Sequence, residues 1–450
     1  MSPLWRSARA GAVAVALGAA LWPAVAAAGG MFLPGRGVRP LGRGGAFTAG
    51  ADDPGAIAYN PAGLAEVRST TALLDVGFVT QGIGYARVDS AGVRQPEVQN
   101  QGSPTPIPTI VLAVPVGDKL TLGAGLVAPS TSLPKYPTDG AQRYSLVDLD
   151  GTIIFALEGA AALKLGDHVR IGAGLQLVVL NFSSQVMMSA CPGTTICAPE
   201  DKDFDSLSQV VVSSVMPSGN VGAQVVYDKI RAGVAAQLPV SVDSTGKVRA
   251  RLPRAAFFDG SRVVGDEGRV AFTLPAGLRF GLEGRPKPNV RLEAEIDVEL
   301  WSMHDKITID TSKLAIENVK GVGTYQLAPI AIERRFEDVV ALHLGAEVTV
   351  HPKATVRAGY AYEPSAVPSK YLQILSPDGD KHMIALGGSV NLGKLRLDAV
   401  FAHVIQADRE VTDSAALQIN PIRPSSPVVV GNGTYKVSAN VFGLGAAYTF

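Results

Sequence analysis

Between residues 289 and 301 the side chains change character at every step. Val290, Leu292, Ala294, Ile296, Val298 and Leu300 fall on one side, and Arg291, Glu293, Glu295, Asp297 and Glu299 on the other. A helix sets positions two apart on opposite faces, so only an extended strand keeps these two sets separate. The pattern returns along the chain. In 169–182, Val169, Ile171, Ala173, Leu175, Leu177 and Val179 oppose Arg170, Gly172, Gly174 and Gln176. In 270–283, Val270, Phe272, Leu274, Ala276, Leu278, Phe280 and Leu282 oppose Thr273, Gly277, Arg279 and Glu283. In 354–363, Val356, Ala358, Tyr360 and Tyr362 oppose Thr355, Arg357 and Glu363.

One face of each segment is therefore apolar throughout, and the other is ionic or glycine-rich. In a soluble sandwich the charged face looks at water and the apolar face fills a core of bulky side chains. Here many apolar positions are Ala, Val or Leu, and the polar faces carry several charges per strand. A transmembrane barrel accounts for both, with lipid on the apolar face and a polar lumen on the other. Alternation alone does not separate lipid from core, so the sandwich stands as the alternative.

The connections add a second argument. Short turns fall at Gly117-Asp118, Gly166-Asp167, Tyr227-Asp228-Lys229, Arg285–Pro288, His351–Lys353 and Gly393; long loops fall near 86–107, 129–143, 183–208, 243–268, 303–337, 363–379 and 408–433. That spacing predicts fourteen antiparallel strands, with both ends on the side of the short turns. Short periplasmic turns opposite long external loops are an outer-membrane habit.

At the N-terminus, Arg6 and Arg9 precede an apolar stretch from Ala10 to Val25, and Ala26-Ala27-Ala28 follows. This is a secretory signal arrangement, expected to cover residues 1–28 and to be removed on export. A permanent anchor helix is the rival reading; Gly11, Gly18 and Pro23 oppose it. Beyond this leader no run of about 18 apolar residues appears, so no spanning helix is expected although hydrophobic residues make up 47%. The 40 basic and 40 acidic residues balance, which gives no nucleic-acid footprint. Cys191 and Cys197, six positions apart, are expected to form a disulfide in an oxidising compartment. A metal pair fits less well, since no His lies near and the spacing is wrong for zinc.

Residues 29–66 lack alternation. Their Gly and Ala content lets backbone pack closely in a confined space, and a fourteen-stranded barrel is too wide for its wall side chains to fill. A compact segment folded into the lumen solves that problem. Leu41-Gly42-Arg43-Gly44-Gly45-Ala46-Phe47-Thr48-Ala49-Gly50, Ala51-Asp52-Asp53 and Asn60-Pro61-Ala62 resemble, in order and spacing, the N-terminal hatch of the FadL-type long-chain fatty acid transporters. Leu300-Trp301-Ser302, the stretch Arg357–Pro364 through Pro368, and Pro377-Asp378 resemble later parts of that family. Independently, Asn60-Pro61 reads as a positioned turn.

The resemblance implies a fourteen-stranded outer-membrane barrel, with residues 29–68 as hatch and 69–450 as barrel. It implies passive transport of hydrophobic compounds, foremost long-chain fatty acids, without ATP or TonB coupling. External loops would capture substrate, and a kink in the third strand would release it sideways. That strand is expected at 119–128, with Gly123, Gly125 and Pro129 as candidate gate residues, because Gly weakens a strand and Pro removes a ladder donor. The final stripe Phe442, Leu444, Ala446, Tyr448 and Phe450 resembles the sorting signature of outer-membrane proteins, so Phe450 is expected to address the assembly machinery.

Other chemistries leave weaker traces. Gly42-x-Gly44-Gly45 has no preceding strand or following helix pattern, so a nucleotide loop fails on context. Asp52-Asp53 reads as solvated or helix-capping before it reads as catalytic. The six His residues are scattered. The expectation is a monomeric channel that is not an enzyme, without metal or cofactor, whose partners are a hydrophobic small molecule and outer-membrane lipid. A general porin and an outer-membrane lipid hydrolase are the alternatives; bilayer conductance and serine-dependent ester cleavage would reveal them. Lumen-facing Arg279, Arg291, Arg357, Glu293, Glu295 and Asp297 are expected to pair across strands; a substrate carboxylate on one of the basic residues is the second choice.

Overall fold

The computed structural model describes Leu33 and residues 35–129, 131, 133–198, 200–423 and 428–450. The expected leader, residues 1–28, and residues 29–32 and 34 of the expected hatch lie outside them. Among the described residues, fourteen wall strands close on themselves. They are β1 Thr71–Arg87, β2 Thr105–Val116, β3 Leu120–Val127, β4 Ile153–Leu165, β5 Val169–Ser189, β6 Asp205–Val226 and β7, made of Ile230–Gln237 and Val240–Ala250. Then follow β8, made of Glu267–Leu274 and Gly277–Lys287, β9 Val290–Glu299, β10 Val339–His351, β11 Ala354–Glu363, β12 Lys381–Leu392, β13 Leu395–Gln406 and β14 Gly433–Thr449. Each strand pairs antiparallel with the next, and β1 closes the barrel on β14 from Thr71–Thr449 to Arg87–Gly433. No helix among the described residues is long and apolar enough to cross a membrane.

Burial follows the period-two reading. On β9, Leu292 and Ile296 keep 48% and 46% of their surface exposed, while Glu293 and Glu295 are buried. Apolar side chains outside and carboxylates inside reverse the arrangement of a water-soluble barrel, and match a wall solvated by lipid. The soluble sandwich is thereby set aside: among the described residues no second apolar layer covers these side chains.

The turns fall where the sequence puts them. Gly166 takes φ 64°, in the left-handed region that a tight turn between β4 and β5 requires. The loop after β3 is longer than its composition suggests, because among the described residues no regular strand resumes before Ile153. The upper half of β7 runs on to Ala250, into the stretch read as loop. The external loops fold together over the barrel mouth. Tyr85 and Tyr435 stack at 4.4 Å there, in a cluster with Trp301, Phe336 and Leu372.

Candidate functional site: a filled lumen beneath two joined cavities

The segment from Leu33 to Arg68 occupies the lumen. It contains one turn of helix, α1 Val38–Leu41, and two short 3-10 helices, Pro54–Ala58 and Pro61–Glu66. Both 3-10 helices begin with Pro, whose missing N–H costs nothing at that position. Asp53 caps the first, accepting from Gly55 N at 2.9 Å; Asn60 caps the second, accepting from Ala62 N at 3.2 Å. The same Asn60 amide donates to Thr48 O at 2.9 Å and to Ala223 O on β6 at 3.1 Å, so one side chain joins cap, loop and wall. Pro61 and Ala62 lie buried against β5, where a Cβ on Gly172 would meet Ala62 N at 2.4 Å.

Charge seats this segment. Arg43 reaches Glu293 at 2.6 Å and Glu283 at 3.0 Å. Glu293 also accepts from Ala49 N at 2.7 Å, and Glu295 accepts from Phe47 N and Thr48 N at 2.8 and 2.7 Å. Two neighbouring carboxylates of β9 therefore take up the backbone donors of one loop. Arg39 bridges Asp52 (2.6 Å), Asp53 (3.0 Å) and Glu347 on β10 (3.2 Å). Asp52 also meets Arg291 at 2.8 Å. Burial alone would push the Asp52 carboxyl up, but Arg291, Arg39 and Arg231 together outweigh it and hold the group well below the usual carboxylate range. Arg279 pairs with Asp297 at 3.1 Å and Arg357 with Glu347 at 2.6 Å, so these lumen arginines serve the wall.

Backbone fit completes the seat. Gly44 takes φ 67°, and a Cβ there would stand 2.6 Å from Tyr360 N on β11. Gly42 lies 3.4 Å, as an imagined Cβ, from Gly387 Cα on β12. Arg36, Arg39 and Arg43 sit on this segment ahead of Arg68; sequence reading gave them no role, because Arg39 and Arg43 meet Glu347 and Glu293 only in the fold.

Above this filling lie two cavities. The inner one, of about 190 Å³, has Gly35, Arg36 and Tyr59 as floor and Glu158, Gln176 and Asn220 on its walls. The outer one, of about 140 Å³, is lined by Leu133, Leu149, Phe182, Phe272 and Ile307 among others. Leu33, Ile154 and Leu274 line both, so the two adjoin. At the edge of the outer cavity His304 and Ser376 face inwards, and Ser376 accepts a hydrogen bond from Arg334. Arg334 is fully buried under the Phe336 ring at 4.6 Å, and its Nε and Nη1 have no protein partner. Burial pushes its pKa down to about 10, still charged at neutral pH. Burial, then the Arg334 charge, pushes His304 down to about 4 despite its bond to Thr273 O, and its Nε2 is likewise without a protein partner. Sequence reading missed both, since each sits in an irregular loop.

The candidate gate residues divide. Gly123 and Gly125 lie within an unbroken ladder between β2, β3 and β4; a Cβ on Gly123 would press Leu64 Cδ1 at 2.8 Å. The interruption comes after Val127, where β3 stops while β4 continues up to Ile153. Ala128 N donates to Pro108 O at 3.1 Å, so Pro108, and Pro106 two residues before it, turn towards β3 an edge without N–H groups. Pro129 and Val127 line the inner cavity at this point. Cys191 and Cys197 are bonded, Cα atoms 5.9 Å apart, and the loop is fixed by Asn420 donating to Cys191 O at 2.9 Å. Among the described residues no group of His, Cys, Asp or Glu is arranged to hold a metal ion.

Comparison with known proteins places this geometry. The sequence model of the family described as outer membrane protein transport protein (OMPP1/FadL/TodX) matches residues 19–450. An outer membrane protein of Neisseria meningitidis serogroup B is 24% identical over 436 residues, covering 90% of this chain and 91% of its own. The crystal structure of a Pseudomonas aeruginosa FadL homologue superposes with TM-score 0.76 at 20% identity, covering 94% of this chain and all of that one (100%). The Pseudomonas putida toluene transporter TodX superposes with TM-score 0.67 at 17% identity, covering 93% of this chain and 99% of that one. At such identities the structural likeness speaks for the fold.

Proposed function

This chain belongs to the outer membrane protein transport family (OMPP1/FadL/TodX), a family of outer-membrane channels for hydrophobic compounds, and we propose that its own cargo is long-chain fatty acids. The observation that carries this reading is Arg334, a buried cation with two donor nitrogens that lack a protein partner, bonded through its third to Ser376 on the lining of the outer cavity. A carboxylate is the group that satisfies a guanidinium best. Each methylene of the tail taken into the outer cavity contributes about 0.8 kcal/mol. In this reading His304, neutral at pH 7 with its Nδ1 proton donated to Thr273 O, adds no competing charge, and the tail extends past Ile154 and Leu274 into the inner cavity. Release is lateral, through the gap left above Val127, with Gly123 allowing β3 to lie close to Leu64 and Gly125 allowing it to lie close to Val111 on β2.

The same reading assigns residues 1–28 to a removed leader, 29–68 to the hatch with Gly42, Gly44, Asp52, Asp53, Asn60, Pro61 and Ala62 as its seat, and 69–450 to the barrel. Phe450 with β14 addresses the assembly machinery, and the protein acts as a monomer. The disulfide stiffens the loop between β5 and β6.

The test is uptake of labelled oleate and labelled toluene by cells with and without the protein. Arg334→Gln is expected to raise the half-saturating oleate concentration about tenfold, or about 1.4 kcal/mol, and to leave toluene unchanged. Equal loss of both would remove the carboxylate role, and no uptake of either would remove the channel. Joining the end of β3 to β4 with Val127→Cys and Ala156→Cys, which are ladder partners, is expected to slow release of oleate into the periplasm; unchanged release sinks the gate.

A further inference from the structure

β7 parts from both neighbours at one place. Its ladder with β6 rises to Asn220–Gln237, ends on one further backbone bond from Leu238 N to Gly219 O at 2.9 Å, and resumes only at Val211–Lys247, one residue out of register. Its ladder with β8 rises to Gln237–Gly277, stops, and resumes at Val240–Leu274. Leu238-Pro239 thus faces Pro275-Ala276 across a break in the wall. The cause is in the sequence: neither proline has an N–H to send across, so the ladder cannot continue through them. Side chains replace part of it. Gln237 Nε2 donates to Gly219 O at 3.2 Å, and Ser218 Oγ to Leu238 O at 3.1 Å.

The inner cavity reaches this break and takes its lining from both faces of the wall. Ala235 faces inwards and is buried. Leu238 and Leu278 face outwards, with 57% and 39% of their surface exposed. Residues whose side chains face the lipid thus contribute to the wall of the cavity at this point. Around the break, Ala235, Ala236, Ala276 and Gly277 supply no bulk to close it. β7 leaves its periplasmic turn at Tyr227–Lys229 and reaches Leu238 after the roughly nine to eleven residues that carry a tilted strand across the hydrocarbon, so the break lies at the outer-leaflet end.

We propose that this break is a second side opening, through which uncharged hydrophobic molecules dissolved in the outer leaflet exchange with the inner cavity. It rests on the reading of the chain as a channel for hydrophobic compounds. It is separate from the gap above β3, since β4, β5 and β6 stand between them. Its rim of Leu238, Pro239, Pro275 and Leu278 offers no cation, so an uncharged chain passes and a carboxylate does not. The inner cavity then has two sources, the loops above and the lipid beside it.

The experiment uses the full protein in lipid vesicles, with Ala235→Cys as reporter; the native cysteines are bonded and do not react. A maleimide carried on the acyl chain of a bilayer lipid is expected to modify this cysteine. Ala276→Trp, or Leu278→Trp if the first variant folds poorly, is expected to slow the reaction at least tenfold. Pro129→Trp, which fills the gap above β3, is expected to leave it unchanged. The proposal is overturned if the lipid-borne reagent fails while a small aqueous maleimide succeeds, if both tryptophan fillers at β8 leave the rate unchanged, or if Pro129→Trp abolishes it. Oleate uptake by the parent protein, measured alongside, fails on its own if the channel reading is wrong, whatever the labelling shows.

Discussion

Arg43 and Glu293 meet at 2.6 Å in the middle of the lumen, and neither side chain has any accessible surface. One belongs to the segment filling the barrel and the other to its wall, 250 residues later. Removing one partner of such a pair leaves an uncompensated buried charge, at a cost of about 3–5 kcal/mol. Glu293→Gln should therefore loosen the filling while the barrel stays intact. Single-channel recording in planar bilayers should show larger or more frequent openings than the parent; traces equally quiet in both would refute a seat held by β9.

Acid should not release the segment until well below pH 4. The sign follows from Asp52, whose folded pKa lies well below its ordinary value of 3.8. A depressed carboxyl contributes stability that is fully present above the unfolded pKa and is lost as pH falls through the folded one. Limited proteolysis between residues 35 and 68 should give the same resistance at pH 7 and pH 4.5. Asp52→Asn should be cleaved faster at both. A sharp rise in cleavage of the parent between those two values would contradict this.

At position 44 the backbone admits glycine alone. The left-handed φ costs another residue roughly 1–2 kcal/mol, and a side chain would strike the β11 backbone at Tyr360. Gly44→Val is expected to lower the temperature at which the folded band shifts on an unheated gel, and to raise conductance as Glu293→Gln does. A variant with parent-like melting and conductance would mean that the loop seats elsewhere.

Asn60→Ala removes a helix cap and two further donations at once. The cap alone is worth about 0.5–2 kcal/mol, and the lost bonds to Thr48 O and Ala223 O add to it. The expected result is faster hydrogen exchange across residues 54–66 with β6 unaltered. Asn60→Asp keeps the acceptor and should recover only the cap.

The wall could be read from the chain because lipid and lumen impose opposite demands on alternate residues, and β9 states both demands in ten positions. Tight turns were legible for the same local reason, as at Gly166. The seat of the lumen segment was not. Arg39 finds Glu347 and Arg43 finds Glu293 across more than two hundred residues, and no local period records such a meeting. Its backbone motifs were visible as resemblance, while the arginines between them looked like ordinary charge. Arg334 and His304 escaped for another cause: they stand in irregular loops, where only buried nitrogens that lack a protein partner mark them out. Of the three gate candidates, Gly123 and Gly125 weaken a strand in principle yet stand within an unbroken ladder, Gly123 against Leu64, while Pro129 stands just beyond the interruption after Val127.

The ladder that joins β1 to β14 gives the molecule an order of events. Thr71 cannot meet its partner Thr449 until nearly the whole polypeptide has been made. Up to then the first strand presents a bare row of donors and acceptors, the kind of edge that invites pairing with a stranger. Export must therefore hand over an unclosed ribbon that is shielded until its last strand arrives. A chain cut short before β14 would keep two raw margins and no way to hide either in lipid.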